Sequence, residues 1–262
     1  TTRSGGWPMS VWLTPDLKPI VGGTYYPPDD RPGWPGLKTV LLHIAAAWRD
    51  DRDHVIASAD DVTSKLRQIV SARADAGAAP ASTLLDAGYR RIAASYEPTY
   101  GGFGGPPKFP HPVSLNFMLR YHARTGETNA LHMSLFTLRR MADGGMHDHI
   151  GGGFHRYSVD TFWHVPHFEK MLYDQALLAG SYLDAFQITS DRFYADVARD
   201  ILEYVLRDMT GKDGEFFSAE DADSPLPDDP SRHAEGAFYV WEQREIAAAL
   251  GKETAAIFDY HY

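Results

Sequence analysis

Cysteine is missing from all 262 residues, which excludes disulfides and thiol catalysis within the chain. Apolar runs long enough to cross a membrane, roughly 18 residues, are missing too, and no basic-then-apolar leader opens the sequence. Dense Lys/Arg runs are lacking, and the net charge of −10 argues against nucleic acid or an anionic membrane as partner. The glycine clusters are not arranged as strand–GxGxxG–helix, so phosphate loops and dinucleotide fingerprints are excluded and no cofactor is expected. His147-Asp148-His149 and His164-x-x-His167 match no recognised zinc spacing, so no metal is expected either. The absence of cysteine fits the cytosol or an organelle; a cytoplasmic location is the expectation. An opening without Met and an end at FDYHY, with no tapering polar tail, read as an excerpt of something longer.

What is present is ordinary in bulk and unusual in one place. Apolar content of 44% and charged content of 23% suit a globular protein with one large domain or two smaller ones. Residues 144–175, however, hold five of the 12 histidines, where even spacing would put one or two. Asp148, Arg156, Asp160, Glu169, Lys170 and Asp174 stand among them, with Trp163, Tyr157, Tyr173 and three phenylalanines. Burying that many ionisable groups unpaired costs several kcal/mol each, so a plain core segment is a poor explanation. Acids and bases interleaved with flat rings are what a polar, ring-shaped ligand needs.

Three regions follow one another along the chain. In residues 1–73, Val11-Trp12-Leu13 and the run from Lys18 to Tyr26 read as a β-hairpin closed by Pro27-Pro28. Leu37, Val40, Leu41, Ile44 and Trp48 then recur at helical spacing, and a second helix covers 53–71. Residues 74–82, ADAGAAPAS, are small and featureless and mark a linker. From 83 to 262 nearly everything is helical, with helices at 83–96, 112–125, 128–143, 166–187, 190–209 and 242–250, and a frayed one from 253. The helix expected from Pro166 is apolar nearly all round its later turns, which predicts burial between neighbours. Tyr100-Gly101-Gly102-Phe103, Gly151-Gly152-Gly153-Phe154 and Gly214-Glu215-Phe216-Phe217 each follow a helix, about 50 to 60 residues apart. Helical hairpins with long Gly-aromatic loops on one side are the pattern of an α/α toroid, of which about half the ring is present.

Several motifs resemble one family, the YyaL-like/spermatogenesis-associated protein 20 family, over the whole chain. They are Gly5-Gly6-Trp7-Pro8-Met9 with Leu13-Thr14-Pro15-Asp16; Gly101-Gly102-Phe103 with Pro107-Lys108-Phe109-Pro110; Gly153-Phe154-His155-Arg156-Tyr157; the run from His164 to Gln175; and Ser218-Ala219-Glu220-Asp221-Ala222-Asp223-Ser224. The resemblance implies a mainly α chain: the C-terminal part of a thioredoxin-like α/β domain at 1–73, then the N-terminal half of an (α/α)6 toroid at 83–262, related to six-hairpin glycosidases and N-acylglucosamine 2-epimerases. It also implies that Pro8 is the thioredoxin cis-proline and that the family's cysteine motif lies upstream of Thr1. Fold relatives host unrelated chemistries, so function has to be argued from the site.

At the expected start of the helix from Pro166, the helix dipole favours an ionised Glu169 and a neutral His167, the state a general base needs. His167, Lys170, Met171 and Asp174 would share one face at i, i+3, i+4 and i+7. His149, His155 and Arg156 flank the Gly-rich turn. Glu220, Asp221 and Asp223 follow the third Gly-aromatic repeat; such acids serve as acid and base in glycoside hydrolysis, hold sugar hydroxyls or a Ca²⁺ through oxygen ligands, or are simply solvated. Lys108 and His111 are candidate contacts from the first loop. The catalytic candidates are therefore His167, Glu169, His155, Asp174 and Glu220; the ligand-binding candidates are His149, Arg156, Trp163, Lys170, Tyr173, Asp221, Asp223 and Lys108. The leading expectation is a carbohydrate-active protein acting on a small sugar-like molecule, epimerase/isomerase-like or glycosidase-like. The alternative is a non-catalytic redox-linked or protein-interaction module, whose thioredoxin-like region binds a protein partner and whose toroid keeps a sugar-like groove.

Overall fold

The computed structural model describes residues 9–71 and 82–261. The chain divides into two compact units, Thr1–Pro80 and Ala81–Tyr262. Both the 74–82 linker, apart from Ser82, and the Trp7–Pro8 peptide bond fall outside the described residues.

In the first unit, strands β1 (Ser10–Leu13) and β2 (Pro19–Gly23) form the expected antiparallel hairpin. Helices α1 (Leu37–Asp50) and α2 (Arg52–Ser71) follow. Trp12 meets the Tyr26 ring edge-on at 5.3 Å, and Lys18 pairs with Asp60 of α2. The apolar stripe of α1 is only half covered: Leu37 and Leu41 stay exposed, and Leu41, Ile44 and Trp48 line an open groove with Trp12 and Ile20. Two strands offer too little sheet to cover that face.

The second unit is helical: α3 (Ser82–Ala93), α4 (Pro112–Thr125) and α5 (Thr128–Asp143) come first. Pro112 opens α4 where a missing N–H does no harm, and Gly126 closes it at φ 77°. Short strands β3 (Tyr157–Ser158), β4 (Pro166–His167) and β5 (Lys170–Met171) lead into α6 (Leu172–Thr189) and α7 (Arg192–Asp208). The Asp191 carboxylate caps α7 by accepting from the Phe193 N–H at 3.0 Å. Strand β6 (Ala219–Glu220), the hairpin β7 (Asp223–Leu226) and β8 (Asp229–Glu235), and helices α8 (Gln243–Leu250) and α9 (Lys252–His261) complete the chain.

Hairpin follows hairpin: α4 packs on α5 and on α6, and α6 packs on α7. Helix α4 thus meets α6, the next helix but one, as successive hairpins in an arc of an α/α toroid do. Leu115, Leu138, Met141, Phe154, Leu178, Tyr182 and Ile201 fill the space between these four helices, with Phe103 in the same cluster. Tyr182 donates to the Leu138 carbonyl at 2.7 Å, so its hydroxyl is satisfied inside the core.

Two expectations are corrected here. The helix does not start at Pro166: residues 166–167 and 170–171 are extended, paired with Tyr157–Ser158 and with Ala219–Glu220, and α6 begins at Leu172. Cross-strand pairing satisfies backbone groups that a first helical turn leaves open. Helix α6 is also not buried all round, since Tyr173, Leu177 and Leu183 are exposed along one face.

Candidate functional site

The Gly-rich loop is fixed first, because everything polar hangs from it. Gly152 and Gly153 adopt φ values of 82° and 75°, and a Cβ on Gly153 would run into the Tyr204 ring. The Gln175 side chain of α6 accepts from the Phe154 N–H at 2.9 Å and donates to the Phe154 carbonyl at 2.6 Å. Asp200 of α7 accepts from the Gly153 N–H and from His147.

Beneath the loop lies a buried charge. Lys170 is 1% exposed, and its Nζ donates to Asp148 Oδ2 and to the Gly152 carbonyl, both at 2.8 Å. The Tyr204 ring centre lies 4.3 Å from the same nitrogen. Burial opposes ionisation of Asp148, but Lys170 and the N–H groups of Gly151 and Ile150 together hold its carboxyl below the usual range. Lys170 therefore pairs with Asp148, not with Asp174 one helical turn on, and locks the loop instead of meeting solvent. His155 is 2% exposed, flanked edge-on by Phe168 and Tyr239. Desolvation and the nearby Lys170 charge push it down to about 4, so its ring is neutral at pH 7.

Lys108 and Trp163 form a second enclosed knot. Lys108 is fully buried, bonded to Glu97 at 3.2 Å and to the Thr161 carbonyl at 3.0 Å, with the Trp163 ring at 4.8 Å. Trp163, likewise fully buried, donates to the Tyr100 carbonyl. At Gly102, φ 97°, a Cβ would come within 2.6 Å of that ring. These two side chains join the first loop to the second and leave no surface for a ligand.

The residues that remain reachable gather where the loops meet the start of α6. Arg156 donates to Glu169 at 2.5 Å, and His167 shares a hydrogen bond of 2.6 Å with Glu235 at the end of β8. Glu169 lies 3.8 Å from the other nitrogen of His167. Tyr157 stacks on the His167 ring at 4.8 Å, Phe109 leans on Tyr157, and the Tyr173 phenol, half exposed, lies beside the Arg156 guanidinium. Asp174, 5% exposed, sits close to both Arg156 and Glu169; desolvation pushes its carboxyl up to about 7, against the pull of Arg156 and with the push of Glu169.

The three loops thus meet at one end of the helices: Lys108 pairs with Ser158, and Lys170 with Glu220. The outer acids are less integrated. Glu220 is half-buried and accepts from the Tyr204 hydroxyl at 2.8 Å. Asp221 and Asp223 are exposed, the first capping the N–H of the second. His149 is exposed and hydrogen-bonded to the Gly144 carbonyl, and His111 is exposed at the foot of α4. Among the described residues, no group of three or more His, Asp or Glu side chains converges to hold a metal ion. Glu235 and Phe109 were missed by sequence reasoning. Glu235 lies 66 residues beyond Glu169 behind a proline-rich hairpin, and only the family-like motif around Phe109 pointed at that ring.

Curated relatives match nearly the whole chain. Human spermatogenesis-associated protein 20 is 47% identical over 256 residues, covering 95% of this chain and 32% of the human protein. Its close homologues include the spermatogenesis-associated protein 20 proteins. The mouse protein matches equally well, at 47% identity, and an uncharacterised Caenorhabditis elegans protein is 42% identical over 97% of this chain and 36% of its own length. The chain spans about a third of the length of the curated relatives it matches. A family model described as Thioredox_DsbH, protein of unknown function, DUF255, matches residues 1–67. Solved structures resemble the chain only distantly. A sugar epimerase from a ruminal bacterium has a TM-score of 0.46 at 16% identity, covering 51% of this chain and 37% of its own. A family 76 glycoside hydrolase (mannosidase) from Bacteroides thetaiotaomicron has a TM-score of 0.39 at 21% identity, covering 49% and 33%. Likeness at that level carries no argument about chemistry.

Proposed function

We propose that this chain binds a small, uncharged, sugar-like molecule where Arg156, Glu169, His167 and Glu235 meet the rings of Tyr157, Tyr173 and Phe109, and that it is carbohydrate-active. The observation that carries the reading is that charged network itself. It is partly exposed, pairs Arg156 with Glu169 and His167 with Glu235, and is edged with aromatic faces, which suits hydroxyl groups on a flat apolar ring face. Arg156 is already paired with Glu169, so the network offers hydrogen bonds without a spare positive charge for a phosphate or carboxylate. Epimerase/isomerase-like and glycosidase-like chemistry both fit a sugar at this position. The test is incubation of the chain with a panel of reducing sugars in D₂O, scoring deuterium incorporation and hydrolysis together. Binding or turnover of a neutral sugar that is lost in Glu169→Gln supports the reading. A panel that neither binds nor reacts sinks it.

A further inference from the structure

The carboxylates around the loops sort by what they already hold. Glu169 is tied to Arg156, Glu220 to Tyr204, Asp148 to Lys170, and Asp200 to His147 and the Gly153 N–H. Asp160 accepts from the N–H groups of Phe162, His164 and Val165. Asp174 is different. It is 5% exposed, yet its Oδ2 has no hydrogen-bond partner among the described residues. The Nε of Arg156 is also buried and also without one. An unsatisfied buried donor and an unsatisfied buried acid in one cluster are expensive to leave so, at about 1–3 kcal/mol for each group, and the pair has hydrogen-bonding capacity to offer a ligand.

We propose that Asp174 and Arg156 form the proton-exchanging subsite of this ligand site, and that its substrate is the hydroxy-carbonyl end of an open-chain reducing sugar. This rests on the sugar-binding reading above and narrows it to proton transfer. Arg156 Nε–H donates to the sugar carbonyl oxygen. The ionised form of Asp174 takes the proton from the adjacent carbon, and the C–H electron pair moves into the carbonyl to give an enediolate whose negative oxygen faces the guanidinium. Asp174 passes the abstracted proton to solvent, and a solvent-derived proton added to the opposite face of that carbon gives an epimer; addition to the former carbonyl carbon, with the adjacent hydroxyl proton passing to the former carbonyl oxygen, gives an isomer. Nothing is oxidised or reduced overall. Both protonation states of Asp174 are populated near neutral pH, which a proton carrier needs. A hydrolase of the two-carboxylate kind needs a second free acid, and Glu169 and Glu220 are both engaged. Tyr173, half exposed, lies beside Arg156 at the edge of this pair.

Two measurements test this. In the ligand-free chain carrying ¹³C-labelled aspartate, one carboxyl resonance should titrate near neutrality and vanish in Asp174→Asn. If every aspartate titrates in the ordinary carboxylate range, the proposal is overturned. With D-mannose in D₂O, Asp174→Asn should lower deuterium incorporation by about 100-fold while saturation-transfer NMR still detects mannose binding. Unchanged incorporation in that variant, with binding intact, overturns the role of Asp174 and leaves the sugar reading standing. If neither D-mannose nor cellobiose binds the unmodified chain, the sugar reading fails and this inference with it.

Discussion

Two buried groups titrate in opposite directions, and their opposition is measurable. Asp174 is held at about 7 in the fold against 3.8 for an unburied aspartate. The fold therefore binds this proton more tightly than the unfolded chain, and stability falls as pH rises from about 4 to 7. At about 1.4 kcal/mol per pH unit, the full effect is of order 4 kcal/mol. His155 is held at about 4 against 6.5. Here the unfolded chain binds the proton more tightly, so stability falls as pH drops from 6.5 to 4, by about 3 kcal/mol. Between pH 4 and 6.5 the two slopes nearly cancel. Asp174→Asn removes one arm and His155→Gln the other. Relative to the unmodified chain, Asp174→Asn should grow more stable with rising pH by several kcal/mol between pH 4 and 7. His155→Gln should grow less stable with rising pH between 4 and 6.5. Urea unfolding followed by circular dichroism at each pH reads both difference curves, and subtraction cancels the groups that variant and parent share. Parallel curves for Asp174→Asn and its parent would refute the raised carboxyl, and parallel curves for His155→Gln the depressed imidazole.

Three further outcomes are expected. Lys170→Met leaves Asp148 buried without its partner and should cost about 3–5 kcal/mol in denaturant unfolding; a loss under 1 kcal/mol would show that the pair is not the lock described. Gly153→Ala must accommodate both a positive φ and the Tyr204 ring, so its thermal midpoint should drop by several degrees, whereas Gly104→Ala, with open space around it, should drop less. His167→Gln removes the Glu235 contact and the Tyr157 stack at a half-buried position. Sugar affinity should fall at least about tenfold with little change in melting temperature, and the reverse pattern would mark the ring as structural.

The helices were legible because their signals are local. The i, i+3, i+4 spacing set α4 and α5 at their observed bounds and α7 to within two residues at either end. What failed was the segment 166–171, where Pro166 imitates a helix start while its backbone pairs with Tyr157–Ser158 and the next strand with residues about 50 positions away. Long-range pairing leaves no periodic trace in a two-residue strand. The hairpin of Asp223 to Glu235 was hidden by Pro225, Pro227 and Pro230, which argue against strands when read singly. The density of ionisable groups correctly marked 144–175 as unusual, but not which of them are enclosed. Lys108, Lys170 and Trp163 look from the sequence like reachable groups, and the fold puts all three inside.

Gln175 ties the helix to the loop in both directions at one peptide. With the amide serving as a strand edge one residue wide, Phe154 cannot shift unless α6 turns with it. His155 and Arg156 come next in the chain, so their positions are geared to the rotation of a helix whose far turns lie deep among α4 and α7. A packing change at Leu178 or Tyr182, remote from any ligand, would then be felt as a displaced guanidinium, and repacking this core is a way to retune the site without touching it.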